Sequence, residues 1–241
     1  HAAIMSTFIN PAQMPAIGIS EEQAQLIDIA ASFCRDKSPV AAVRALLEEE
    51  TGFNPDIWQE IAELGWLGIG IPDSYGGIGL GLGEIVPIVE QMGRHLLTTP
   101  YVSTVLAAQA VLRGGTEAQK NETLPKLATG TAATLGFCEA HGDWNLENIT
   151  CKGSLAGDKV TLSGTKYLVS DVHQAVFIIA TIAVNDQANL VIIPTDALPP
   201  GAIRREKIID ETRRAFAVEL DGISLPTDAL MDASAATDTL Q

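Results

Sequence analysis

Apolar residues recur at helical spacing along the first half of the chain and at alternate positions along much of the second. Ser20-Glu21-Glu22-Gln23 has the spacing of a capping box, in which each end residue's side chain bonds the other's backbone N–H. Ala24, Ile27, Ala30, Ala31 and Cys34 follow three and four residues apart, which predicts a first helix of about four turns. Asn54-Pro55-Asp56 sets a side-chain acceptor before a proline at the first helical position. Ile57, Trp58, Ile61, Ala62 and Leu64 then form one apolar face, and Gly65 suits the stop. Gly76, Gly77, Gly79, Gly81 and Gly83 break the pattern. A helix resumes over residues 85–97, another covers 102–113, and Thr116-Glu117-Ala118-Gln119 opens one more with a second capping box.

Beyond about Gly130 the period falls to two. Lys159–Ser163 alternates after the tight turn Ala156-Gly157-Asp158, residues 175–184 and 190–193 are apolar runs of strand length, and residues 216–220 alternate again. Helices followed by strands imply an α+β chain rather than a βαβ wind. The expected organisation is an N-terminal all-helical domain over residues 20–130 and an antiparallel β-barrel-like domain over 131–228. Residues 1–19 read as a tail that starts with an expression-tag remnant, His1-Ala2-Ala3-Ile4. Residues 229–241, small and polar, read as a linker to a C-terminal domain that the sequence lacks.

With 241 residues, 46% hydrophobic and 19% charged, the composition is that of a soluble globular protein. The longest apolar runs fall short of the roughly 18–20 residues that cross a bilayer, and no basic stretch precedes an apolar signal segment, so a cytoplasmic protein with no membrane partner is expected. Cys34, Cys138 and Cys151 are an odd set at no framework spacing; a reducing compartment fits, and each reads as a small buried apolar group. The formal charge of −15 repels polyanions and argues against nucleic acid as a partner. An anionic ligand must therefore be held by local groups.

Several motifs fail on inspection. No G-x-G-x-x-G register fits residues 76–83, where a tight turn of positive φ at Gly76-Gly77 is the simpler reading, and Gly164-Thr165-Lys166 lacks the upstream glycine of a phosphate loop. Cys138 and His141 have metal-like spacing without a second pair, so no metal is expected. Asn148-Ile149-Thr150 matches a glycosylation acceptor by chance, and no serine sits in a G-x-S-x-G elbow.

Two stretches carry a family resemblance. Residues 64–79, Leu-Gly-Trp-Leu-Gly-Ile-Gly-Ile-Pro-Asp-Ser-Tyr-Gly-Gly-Ile-Gly, resemble the acyl-CoA dehydrogenase signature of a helix end, a short extended piece and P-[ED]-x-Y-G-G-x-G. Glu90-Gln91-Met92-Gly93-Arg94 and Pro100-Tyr101 are similar to that family's E-x-x-G-R and P-[FY] segments, and Leu162-Ser163-Gly164-Thr165-Lys166 to its L-x-G-x-K hairpin. The resemblance covers residues 20 to about 228.

It implies FAD as cofactor, an acyl-CoA substrate, α,β-dehydrogenation with hydride transfer to the flavin, and a homo- or hetero-oligomer. The family's T-E-x-x-x-G-S-D segment corresponds to Cys138-Glu139-Ala140-His141-Gly142-Asp143-Trp144, one residue short, and its K-x-W-I-[TS]-N segment to Lys166-Tyr167-Leu168-Val169-Ser170-Asp171. The implied cofactor-binding residues are Phe137, Cys138, Gly142, Asp143, Leu168, Val169 and Ser170. Four of them, Phe137, Cys138, Val169 and Ser170, would serve through main-chain amides, which do not depend on side-chain identity. Leu168 replaces the aromatic that would cover the flavin, and Asp143, in place of serine, would set a carboxylate near an anionic ligand. The catalytic glutamate would lie in the C-terminal domain. Glu139 and Glu90 are the tempting substitutes, but Glu139 corresponds to a structural position and Glu90 to a helix face. The acyl chain is expected against the helical domain, near residues 101–106. An alternative is a non-catalytic or small partner subunit of a heteromeric acyl-CoA dehydrogenase.

Overall fold

Both capping boxes form where the sequence places them. The computed structural model describes residues 20–143, 145–232, 234 and 239; the expected tag remnant, Trp144 and part of the expected linker lie outside the described residues. Helix α1 (Glu21–Lys37) starts at Ser20, whose hydroxyl accepts from the Gln23 amide while the Gln23 side chain accepts from the Ser20 amide. Helix α3 (Pro55–Glu63) follows α2 (Val40–Glu48), and its N-cap Asn54 accepts from the amides of Asp56 and Ile57. Gly65, at φ 72°, ends that region in the left-handed conformation that glycine adopts without strain. Asn54→Ala is expected to cost about 1 kcal/mol, because two amides of the first turn lose their acceptor. Thermal melts of the variant and its parent measure it, and coincident melts would mean that packing alone sets the helix start.

Helix α4 (Leu82–Arg94) begins three residues earlier than the apolar pattern suggested, with Glu84 reaching back to the Gly81 amide. The preceding glycines serve two different needs. Gly76 takes φ 80°, whereas Gly77 is required by space: a Cβ there would stand 1.9 Å from the Ile71 carbonyl oxygen. Helices α5 (Tyr101–Gly114) and α6 (Glu117–Ala128) complete the helical half. Helix α2 has no counterpart in the sequence reading. It is short, buries only Val43, and carries no side-chain cap to mark its start.

The strands are β1 (Ala133–Gly136), β2 (Lys152–Ala156), β3 (Lys159–Ser163), β4 (Thr165–Ser170), β5 (Phe177–Val184), β6 (Gln187–Pro194), β7 (Ile203–Glu206), β8 (Ala215–Glu219) and β9 (Ser224–Pro226). One sheet runs β1-β5-β2-β3-β9 with β6 along the other edge of β5, and the second runs β4-β8-β7. Pairing is antiparallel except where β1 and the start of β2 lie parallel to β5. Gly157 at φ 63° turns β2 into β3. The two sheets enclose a core that includes Val160, Leu162, Val169, Ile178, Ile182 and Phe216, giving a half-barrel behind the helices.

Helices and sheet share a further core. Ala107, Ala108, Ala110 and Val111 of α5 pack with Ala133 of β1 and Phe177 and Ile179 of β5. The small α5 side chains permit close approach, and the Thr104 hydroxyl accepts from the Ala133 amide at 3.2 Å. Trp58 adds a bond from its indole to Gly130 O at 2.8 Å. Cys34 and Cys151 are buried as expected, but Cys138 is only half-buried. No described helix is long and apolar enough to cross a membrane.

Candidate functional site

The ends of β1 and β4 meet. The Tyr167 amide donates to Cys138 O at 2.9 Å, and the Thr134 hydroxyl to Ser170 O at 2.6 Å, so the two stretches singled out in the sequence form one edge although about thirty residues separate them. The register of β4 against β8 shifts between Lys166 and Val169, and Leu168, at φ 52°, sits in that irregularity. This bulge turns Leu168 outward, leaving it 53% exposed, while Val169 on the other side is buried in the half-barrel core. Glu206 on β7 receives the Leu168 amide at 2.7 Å and braces the bulge. Ser170 is half-buried at the end of the strand.

Phe137 and Cys138 continue β1 as half-buried residues, and Phe137 with Leu135, Leu106 and Ala110 walls a cavity of about 260 Å³. Gly142, at φ 69°, is exposed in the loop that follows, its amide bonded to Glu139 O. Asp143 follows on the same loop, half-buried. Its two oxygens accept from the Asn145 amide at 2.8 Å and the Asn148 side-chain amide at 2.5 Å, which folds the loop on itself.

Under this edge lies a buried ion pair. Lys166, 1% exposed, donates to Glu139 Oε1 at 2.6 Å and to the Thr181 hydroxyl at 2.8 Å. Glu139, 3% exposed, also accepts from the Thr150 amide, the Thr150 hydroxyl and the Cys151 amide. Burial pushes the Glu139 carboxyl up, but the bonds from Lys166 and Thr150 outweigh it and hold the group at about 2. Glu139 is thus the paired structural carboxylate that its sequence position suggested. Glu90, the other acid considered, is exposed and paired with Arg94 one turn on.

A second buried acid was not singled out. Asp171, directly after Ser170, accepts from the Ser103 hydroxyl of α5 at 2.5 Å and lies 3.5 Å from Arg213 Nη2. Burial pushes its carboxyl upward against the pull of Arg213 and Ser103. Arg213 in turn lines a cavity of about 390 Å³ beneath the α4–α5 turn, whose walls include Val89, Met92, Leu97, Thr99 and Val102. Nothing in the sequence near Asp171 announces this, because its partners come from α5 and from the segment before β8. The residues expected to flank an acyl chain, 101–106, fall between the two cavities: Tyr101 and Val102 line the larger and Leu106 the smaller.

The arrangement suits a flat ring in part. It offers an apolar wall, an outward Leu168 and main-chain edges at the ends of β1 and β4, while no side-chain donor stands at position 143.

Residues 20–131 match the family model described as acyl-CoA dehydrogenase, N-terminal domain. The acyl-CoA dehydrogenase FadE12 of Mycobacterium tuberculosis is 31% identical over 196 residues, covering 75% of this chain and 49% of that protein. The chain therefore spans about half the length of that relative. Among solved structures, the Tcur3481-Tcur3483 steroid ACAD G363A variant superposes with a TM-score of 0.81 at 27% identity, over 92% of this chain and 60% of that one. A glutaryl-CoA dehydrogenase from Mycobacterium smegmatis, in complex with FADH2, gives 0.78 at 19% identity, over 92% and 58%. The ChsE4-ChsE5 complex from Mycobacterium tuberculosis gives 0.79 at 19% identity, over 94% and 60%.

Proposed function

The chain belongs to the acyl-CoA dehydrogenase family, of which it carries the N-terminal helical and middle β domains, and from that premise we propose that it forms the flavin-facing part of an FAD-dependent enzyme that dehydrogenates an acyl-CoA thioester. The observation that carries this reading is the meeting of the β1 and β4 ends, Cys138 O to Tyr167 N, beside the apolar wall of Leu106, Leu135 and Phe137. FAD, when bound, supplies the hydride acceptor.

The chain's own residues bind and orient. Main-chain amides of Phe137, Cys138, Val169 and Ser170 hold polar edges of the ring and the thioester carbonyl, and the Ser170 hydroxyl adds a donor. Leu168 covers one face by apolar contact where the family has an aromatic. The Lys166–Glu139 pair positions the loop carrying Gly142 and Asp143, since Glu139 grips both Thr150 and Cys151 at the loop's far end. Neither buried acid is available as a base for the α-proton: Glu139 is held ionised by Lys166, and Asp171 is engaged by Ser103 and Arg213.

A second reading makes the chain a partner subunit of a heteromeric dehydrogenase. The leucine at 168, where the family has an aromatic, and the loop-bound Asp143 favour it, because both reduce what this chain alone offers a flavin. The resemblance in fold to the ChsE4-ChsE5 complex agrees with it. Visible absorption of the purified whole protein separates the readings. Bound flavin in the protein alone supports the enzyme and removes the partner reading; flavin that appears only with an adjacent-encoded dehydrogenase supports the partner reading. A colourless protein in both cases overturns the flavoprotein assignment.

A further inference from the structure

Strand β4 ends at Ser170, and the chain turns sharply away. Asp171 takes φ 57°, a left-handed conformation that aspartate tolerates better than most side chains, and its carbonyl accepts from the Gln174 amide at 3.1 Å. The turn buries its carboxylate, and Asp171 is 5% exposed where three elements converge. Ser103 of α5 donates its hydroxyl to Asp171 Oδ2 at 2.5 Å, and Arg213 Nη2, from the segment between β7 and β8, lies 3.5 Å from the same oxygen. One residue back, Ser170 O accepts from the Thr134 hydroxyl of β1 at 2.6 Å.

The two partners are unequal. The short bond comes from a neutral donor, while the cation is distant and 33% exposed, so the charge on Asp171 is only partly answered. A tie to Ser103 alone needs no charge, since an amide oxygen accepts from a hydroxyl as well. The family's K-x-W-I-[TS]-N segment ends on such an amide at this position. What the carboxylate adds is an attraction for Arg213, and with it a link to residues 207–213. The Thr98 hydroxyl, on Thr212 O at 2.9 Å, also holds that segment to the helical half.

Resting on the reading of Ser170 as part of the edge that holds flavin and thioester, we propose that Asp171 is a positioning residue: it fixes the Ser170 end of β4 against α5, and its charge lets residues 207–213 control how firmly that edge is held. Arg213 is the charged group that acts on Asp171, pulling its carboxyl down against the upward push of burial, which prevails. Asp210, in the same segment as Arg213, is turned to Thr212, its Oδ1 accepting from the Thr212 amide and hydroxyl. His173, two residues on, stands edge-on to Phe216 at 4.3 Å. Helix α5 and strand β1 contribute neutral hydroxyls, Ser103 and Thr134. The tie is therefore complete while Asp171 is ionised and weakens as acid protonates it, at a pH above the usual 3.8 of an aspartate.

Hydrogen exchange over residues 166–171 of the full protein tests this, with residues 105–111 of α5 as the reference. Arg213→Met is expected to speed exchange over 166–171 about two- to fivefold at pH 7, the scale of a partly exposed ion pair, and to leave 105–111 unchanged. Asp171→Asn, which keeps an acceptor for Ser103, should have the same effect, and Arg213→Met should add nothing to it. The effect of Arg213→Met should also shrink as the pH falls towards 4. Equal exchange in the parent and Arg213→Met overturns the proposal, as does an acceleration that survives in the Asp171→Asn background or ignores pH. Equal acceleration of 105–111 overturns it too, because Arg213 would then serve only global stability. FAD titrated into the parent and Asp171→Asn keeps this apart from the reading it rests on. If exchange responds as expected and FAD fails to bind, the flavin reading falls and the charge-dependent tie stands. If FAD binds and Asp171→Asn leaves its affinity unchanged, the flavin reading stands and the positioning role falls.

Discussion

Lys166→Met is expected to destabilise the protein by about 3–5 kcal/mol at neutral pH, the cost of leaving one member of a buried ion pair uncompensated. Glu139 would then sit 3% exposed with its bonds to Thr150 and Cys151 but without the lysine ammonium, the His141 imidazole lying 3.5 Å away. The pH dependence gives a second check. In the folded protein the Glu139 carboxyl is held at about 2, below its usual 4.5, so the stability it contributes is complete above about pH 4.5 and is lost as pH falls towards 2. Removing Lys166 takes away one of the pulls that oppose burial and so raises that carboxyl. The gap between parent and variant should therefore narrow as the solution is acidified from pH 7 to pH 4, because protonation relieves the variant's buried charge. Urea denaturation at both pH values measures it. A gap that stays constant would show that packing of the lysine stem, and not the charge, accounts for the loss.

Arg214→Met should cost about 3 kcal/mol or more and act at a distance, on helix α2. The Arg214 guanidinium is buried and donates to Leu46 O, Leu47 O and Glu49 O at the C-terminal end of α2, and to Glu211 O and Arg213 O in its own loop. A helix C-terminus presents unpaired carbonyls and a partial negative charge, so this side chain caps α2 from the other half of the molecule. Gly52, at φ 64°, makes room: a Cβ there would stand 2.7 Å from the guanidinium carbon. Hydrogen exchange should rise in residues 40–48 well before it rises in α5. Uniform acceleration throughout would mean that the two halves open together and that Arg214 is no local latch.

Much of the fold was legible because its signals are local. The capping boxes at Ser20 and Thr116, the Asn54-Pro55 start and the alternation of β3 each need only a few neighbouring residues to be satisfied. The elements that escaped have weaker local signatures. Helix α2 is held by an arginine at position 214, and β1, β7 and β9 are strands of three or four residues that pairing creates. The site divides in the same way. That residues 137–143 and 166–171 matter could be read from their likeness to family segments, but the likeness said nothing of Asp143 turning into its own loop.

The sequence by itself determined where helices give way to strands, and which family the pattern belongs to, since periodicity, caps and motif spacing are written along the chain. Only the tertiary structure decided that Lys166 and Glu139 share a buried bond and that Asp171 meets Ser103 and Arg213. The reason is physical: the protonation and pairing of a side chain depend on dielectric and on neighbours within a few ångströms, and in this molecule those neighbours are 27, 68 and 42 residues away along the chain.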